Sequence, residues 1–199
     1  KNPIKKALLF TSIPIILFLF FPILLFSQVS TNKNIWFAKE FSKELAMYKA
    51  KTFLIKEVLD IKEDVSKFEI IPLAASTSGE LTTLIYKSSE KEGLILGFFG
   101  DYWNYASIVY QGYKFLNLNR NDAKQIIKKI NDTIEENDKY LKNDIDNNNI
   151  FFSFKDIDIL INYTGKGYSI RLYFENFDSS WDETAFTRSK RRFEKNFKN

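Results

Sequence analysis

Ala7–Phe26 is an apolar run preceded by Lys1, Lys5 and Lys6. Rising 1.5 Å per residue as a helix, it spans roughly 30 Å, the thickness of a bilayer's hydrocarbon core. A helix this uniformly apolar would need a larger protein around it to be buried. The run therefore reads as a secretory signal peptide or a retained membrane anchor, occupying 1–27. Its length exceeds the usual 7–15-residue signal core and favours an anchor, whereas Pro14 and Pro22 each remove a helical hydrogen bond and weigh against a stable span. Ser27 suits a cleavage site, while Leu25 is larger than the A-x-A pattern prefers. In either case the lysines stay inside and 28–199 is delivered to the far side of the inner membrane, periplasmic or secreted.

The end of the run, Leu25-Phe26-Ser27-Gln28, resembles exported proteins of the Bacteroidetes type, and the abundance of Lys, Asn, Ile and Phe points to an AT-rich bacterial genome. No function follows from that resemblance. The chain begins at Lys1, so a longer basic region upstream is expected. Residues 28–199 suffice for one domain with a real core. There are no cysteines, hence neither disulfides nor thiol chemistry. A net charge of +4, much of it at the two ends, does not mark a nucleic-acid binder.

Phe37, Phe41, Leu45, Tyr48, Ile55 and Val58 recur at helical spacings between lysines, which predicts a helix over Ile35–Leu59. Short β-branched and aromatic runs follow: Phe68–Ala75, Leu81–Ser88, Leu94–Phe99, Ser107–Tyr110 and Tyr113–Leu118. Thr77-Ser78-Gly79 and Glu90-Lys91-Glu92-Gly93 read as hairpin turns. A second helix is expected over Asp122–Leu141, capped by Asn121 and broken at Asn147-Asn148-Asn149. Ile150–Tyr163 and Tyr168–Glu175 then form a hairpin closed by Gly165-Lys166-Gly167, with Tyr168, Ile170, Leu172 and Phe174 on its core face. Ser180 and Glu183 have the spacing of a capping box for a last helix over Trp181–Lys198, whose inward side carries Phe186, Phe193 and Phe197. Segregated strands and helices predict an α+β two-layer domain: an antiparallel sheet of about six to seven strands, meander plus hairpin, with three helices, preceded by the N-terminal hydrophobic helix.

The chain has no histidine, which removes Ser-His-Asp triads, Cys-His dyads and HExxH zinc sites together. Carboxylate chemistry, a Ser-Lys pair or an all-oxygen metal site would survive. No nucleotide fingerprint or nucleophile elbow is present, and no cofactor is expected. Asp144–Asn149 spaces oxygen side chains as a calcium loop does, but Asn149 stands where glycine is needed and Lys155 where the bidentate glutamate belongs, so no metal site is assigned. Asp156 and Asp158, read on one strand at spacing two, would share a face and make an acid/base pair if enclosed; the plainer reading is the solvated side of a half-buried strand.

The densest constellation is Gly97–Tyr105, where Asp101, Tyr102, Trp103, Asn104 and Tyr105 form the candidate ligand site. Exposed aromatic faces flanked by a carboxylate and an amide grip sugars and peptides; the competing reading is a turn whose aromatics pack the sheet. Arg188, Lys190, Arg191, Arg192 and Lys195 make the final helix basic. They suit a helix C-terminus and, functionally, an anionic surface or acidic partner. The sequence thus predicts an exported, non-catalytic binding or assembly module, with Ala7–Phe26 contacting membrane and an envelope protein or glycan as partner. A carboxylate-based hydrolase and a membrane-anchored subunit of an envelope complex are the alternatives.

Overall fold

The computed structural model describes residues 35–61, 65–73, 81–103 and 109–198, with the backbone alone at Tyr102 and Trp103. The chain divides into two units, Lys1–Lys33 and Asn34–Asn199, and every described residue lies in the second. The apolar run falls outside the described residues; among those described, no helix is long and apolar enough to cross a membrane.

The first helix is shorter than its periodicity predicts. Trp36–Phe37 is a strand, β1, and the helix α1 runs over Lys43–Phe53. Gly112 explains the exchange: a Cβ there would lie 2.7 Å from the Trp36 carbonyl oxygen, so only glycine lets β1 lie against its partner strand. Ser42 caps α1 by accepting from the Leu45 amide at 3.3 Å. A π-turn, Leu54–Val58, continues the helix, and Lys91 donates to the Val58 carbonyl at 2.6 Å. The buried stripe is Ala46, Ala50, Leu54 and Val58, four residues apart, whereas Tyr48 is 66% exposed. The two alanines let the helix approach its sheet closely.

That sheet has five antiparallel strands in the order β1-β5-β4-β3-β2, with β2 Phe68–Pro72, β3 Thr82–Ser88, β4 Glu92–Trp103 and β5 Val109–Asn119. The two runs expected at Ser107–Tyr110 and Tyr113–Leu118 are one continuous strand paired with β4 from Gly93↔Asn119 to Trp103↔Val109. The β3–β4 turn lies at 89–91, one residue ahead of its expected place, closed by the Ser88 amide on the Lys91 carbonyl at 2.8 Å. The Thr77–Gly79 turn lies outside the described residues, although β2 and β3 pair antiparallel as expected. Both faces of the sheet are covered. Leu84, Tyr86, Ile95, Tyr113 and Phe115 pack with α1, while Ile85, Leu94, Leu96, Phe98 and Leu118 belong to the other core. Each such side chain contributes about 1.5–3 kcal/mol by burial.

The helix α2, Arg120–Glu136, follows β5 directly, and its cap is Asn119, two residues before the expected one; its Oδ1 accepts from the Asp122 amide at 3.0 Å. Ala123, Ile126, Ile127 and Ile130 form its buried stripe. At Asn137 the helix breaks, the side chain donating to the Thr133 carbonyl at 2.9 Å, and a short helix α3 covers Asp138–Asn143. A second sheet then runs in simple order β6-β7-β8-β9: Asn149–Phe154, Ile157–Tyr163, Tyr168–Phe174 and Phe177–Asp182. Ile150–Tyr163 is therefore two strands. Lys155, at φ 51°, turns the chain between them. The β7–β8 turn is the expected one, with Gly165 at φ 74° and the Thr164 amide bonded to the Gly167 carbonyl at 3.0 Å.

The last helix, α4, spans Glu183–Asn196, and Ser180 does not cap it. Residues 177–182 pair with β8, which fixes Ser180 opposite Arg171 inside β9. Asp182 is the cap, accepting from the Ala185 amide at 2.8 Å, and Glu183 instead accepts from the Tyr168 amide at 3.1 Å. Phe186 and Phe193 are buried and Phe197 packs partly against the same core, as their spacing predicts. One core thus joins the β3–β5 inner face, the β7–β9 inner face, α2 and α4, with the Phe98 and Phe174 rings 5.6 Å apart. The fold is α+β with antiparallel sheets, and the described strands form two sheets of five and four instead of one of six to seven.

Candidate functional site

Asp101, Tyr102 and Trp103 are the closing residues of β4, opposite Gln111, Tyr110 and Val109, and not members of a turn. The strands run on because the ladder to β5 continues past Gly100, which itself pairs with Gly112. Asn104 and Tyr105 lie outside the described residues, as do the side chains of Tyr102 and Trp103. Asp101 is exposed and accepts from Gln111 Nε2 at 2.8 Å, so a carboxylate and an amide are presented together across the ladder.

On the opposite face of the ladder from this pair, β1 brings Phe37 to within 5.5 Å of the Tyr110 ring, the planes tilted 58°. Phe37 is 56% exposed and Val109 41%. With Ala38, Lys39 and Gln111 they line an open cleft of about 500 Å³. The face shared by Asp101 and Gln111 is closely packed further along the strands. The rings of Phe41, Phe99 and Tyr113 pack 4.9–6.3 Å apart, and the Tyr113 hydroxyl accepts from the Ser42 amide at 2.9 Å and donates to its carbonyl at 3.1 Å. Phe37, Lys39, Val109 and Gln111 were not among the sequence candidates. Only the β1–β5 pairing carries Phe37 to Tyr110.

Among the described residues, Asp156 and Asp158 do not assemble a paired acid and base. Asp156 lies in the turn before β7 and Asp158 in the strand; both are exposed, and Asp158 accepts from Ser153 Oγ at 2.5 Å. The oxygen groups of 144–149 serve the turn itself: Asp144 Oδ1 accepts from Asn147 at 2.9 Å, and Asn148 donates to the Tyr140 carbonyl at 2.6 Å. Among the described residues no cluster of acidic side chains is arranged to hold a metal. A cluster of interacting charged and phenolic side chains ties α3 to the second sheet. Lys142, 2.7 Å from Asp138, together with the Tyr168 hydroxyl, holds Asp138 below its ordinary value, and the bond to Asp138 pushes Lys142 up. Burial, then the bond to Asp138, pushes Tyr168 up.

The basic helix is divided by its contacts. Arg192 donates to the Leu73 carbonyl at 2.5 Å and Lys190 to Asn131 Oδ1 at 2.5 Å, so these two dock α4. Arg188, Arg191 and Lys195 are exposed to water. An open cleft of about 520 Å³ sits at the start of α4, rimmed by Lys166 and Arg188 but also by Asp182, which accepts from the Ala185 amide, and Glu183, which accepts from the Tyr168 amide. A larger, polar cleft of about 920 Å³ near the start of α2 is crossed by the Glu92–Arg120 ion pair at 2.9 Å. Comparison of the chain with protein-family models, with curated proteins and with solved structures finds no match, so the functional reading stands on these residues and their geometry.

Proposed function

We propose that this chain is an exported, non-catalytic binding module of the cell envelope, and that it engages an envelope glycan at the β1–β5 edge. One observation carries the reading: exposed Phe37 and half-buried Tyr110 stand ring against ring at the sheet edge, in an open cleft that Lys39, Val109 and Gln111 also line. A pyranose ring has an apolar face that stacks on aromatic carbon and hydroxyls that bond polar side chains, and the cleft offers the rings of Phe37 and Tyr110 with Lys39 and Gln111. Binding groups on a stiff scaffold lose little entropy when they engage. Export is supported by the basic-then-apolar start.

The test uses the full chain in maltoside detergent, co-sedimented with purified cell-wall glycan, alongside a reporter fused after Asn34. The native chain is expected in the pellet, with Phe37→Ala and Tyr110→Ala each lowering the bound fraction at least tenfold at an unchanged melting temperature. The reporter is expected outside the inner membrane. Equal sedimentation of both variants, or a cytoplasmic reporter, defeats the proposal.

A further inference from the structure

On the side of the molecule where α2 and α4 lie together, Ile127, Phe193 and Phe197 form an apolar floor within an open groove of about 590 Å³, a size that falls in the roughly 300–1,000 Å³ range of small-ligand sites. The floor is held still. Phe193 and Phe197 pack 4.7 Å apart. Lys87 and Arg120 sit 5.1 and 5.2 Å from the Phe197 ring centre and donate to the Asn196 and Phe197 carbonyls at 2.6 and 3.0 Å. These cations satisfy the negative end of α4 and fix its last turn.

The rim has the opposite character. Arg120, Lys124, Lys128, Lys190 and Lys198 surround the floor, against the two carboxylates Asp132 and Glu194. Asp132 is already paired with Lys128, Arg120 is held by Glu92 and Lys190 by Asn131. Lys124, from α2, and Lys198, just beyond α4, are exposed and have no partner among the described residues. Two unengaged ammonium groups therefore flank an apolar trough.

We propose that this groove binds a single-chain anionic amphiphile, its alkyl chain lying on Ile127, Phe193 and Phe197 and its carboxylate or phosphate head held by Lys124 and Lys198. Charge complementarity selects the head: an anion gains from both lysines, while a cationic head is repelled. The apolar floor selects the tail, at about 0.8 kcal/mol for each methylene buried, and the lysine stems pack along it while their charged ends stay in water. This site lies apart from the aromatic edge and does not depend on the glycan reading.

The experiment is photo-crosslinking of the full chain in maltoside detergent with a diazirine-bearing dodecanoate, a diazirine-bearing dodecyl phosphate and the matching neutral alcohol, with labelled peptides mapped by mass spectrometry. Labelling by the two anionic probes is expected on peptides containing Ile127, Phe193 or Phe197, displaced by excess unlabelled dodecanoate. Lys124→Glu with Lys198→Glu is expected to reduce it at least tenfold. Both positions are exposed, so an unchanged melting temperature confirms that the variant folds. Labelling that the neutral alcohol matches, that spreads over the surface, or that survives the double substitution overturns the proposal. So does selective displacement by a poly-glutamate peptide and not by dodecanoate, since the groove would then be a peptide site.

Discussion

The two meanders of this chain are built from the same device, four antiparallel strands leading directly into a helix, yet they are buried differently. In β3, Thr82 to Tyr86 are five successive buried residues, whereas β7, β8 and β9 alternate buried with open positions along their length. The first sheet is covered by α1 on one face and by the shared core on the other. Among the described residues, the second has only its inner face covered. Its outer face presents side-by-side rows such as Phe151–Leu160–Arg171–Ser180, with Phe151 61% exposed and Arg171 paired to Asp178 at 2.6 Å. A strand's residue pattern reports how many of its faces are covered, and with that which surfaces are left for partners. Between the sheets, buried Lys114 of β5 reaches Glu175 in the β8–β9 turn, so the junction is ionic as well as apolar.

The sharpest way to break this comparison is a set of neighbouring truncations. Leu84→Ala and Ile85→Ala, on opposite faces of β3, are each expected to cost about 2–5 kcal/mol. In β7 the cost should alternate: Ile159→Ala in the same range, Leu160→Ala less than about 1 kcal/mol. Urea denaturation measures all four. A Leu160 variant as damaging as the Ile159 variant would mean that the second sheet is covered on both sides.

A smaller effect tests where the second meander hands over to its helix. Asp182→Ala is expected to destabilise by about 0.5–2 kcal/mol through loss of the cap, and Ser180→Ala by no more than about 0.5 kcal/mol. The reverse order in denaturation midpoints would return the cap to Ser180 and shorten β9.

The smallest effect is expected in the pH dependence of the α3 contact. Asp138 is held below its ordinary value, so its contribution is present above the unfolded carboxylate's pKa, near 4, and is lost as pH falls through the lower folded value. The melting temperature of Asp138→Asn should therefore fall less steeply below about pH 4 than that of the native chain. Coincident acid limbs would show that α3 docks without this carboxylate.

Much of the second sheet's inner face was legible in advance. Tyr168, Ile170, Leu172 and Phe174 alternate because each strand residue points opposite its neighbour, and the sole requirement was a core on one side. The first sheet was harder. The separate runs Ser107–Tyr110 and Tyr113–Leu118 left Gln111 and Gly112 between them, yet both continue the strand: Gln111 pairs with Asp101, and Gly112 is there to admit β1. Of the candidate site, the aromatic and carboxylate composition of Asp101–Tyr105 was visible in sequence, while the Phe37–Tyr110 ring pair and the Gln111 partner of Asp101 were not. Among the basic residues, the charge of α4 was plain, but the division between Lys190 and Arg192, which dock the helix, and Arg188, Arg191 and Lys195, which face water, was not.

The sequence by itself determined what depends on a few consecutive residues or on composition: the stripes of α2 and α4, the Gly165–Gly167 turn, the alternation of β8, and the exclusion of histidine and thiol chemistry. Tertiary structure decided what depends on a partner far along the chain. Trp36–Phe37 became a strand because Gly112 offers a backbone without a side chain, and Phe177–Asp182 became one because β8 had an unpaired edge that Trp181 could reach while burying its ring. Backbone hydrogen bonds at a sheet edge and burial against a distant core outweigh local capping signals, and neither leaves a periodic mark in the segment that receives them.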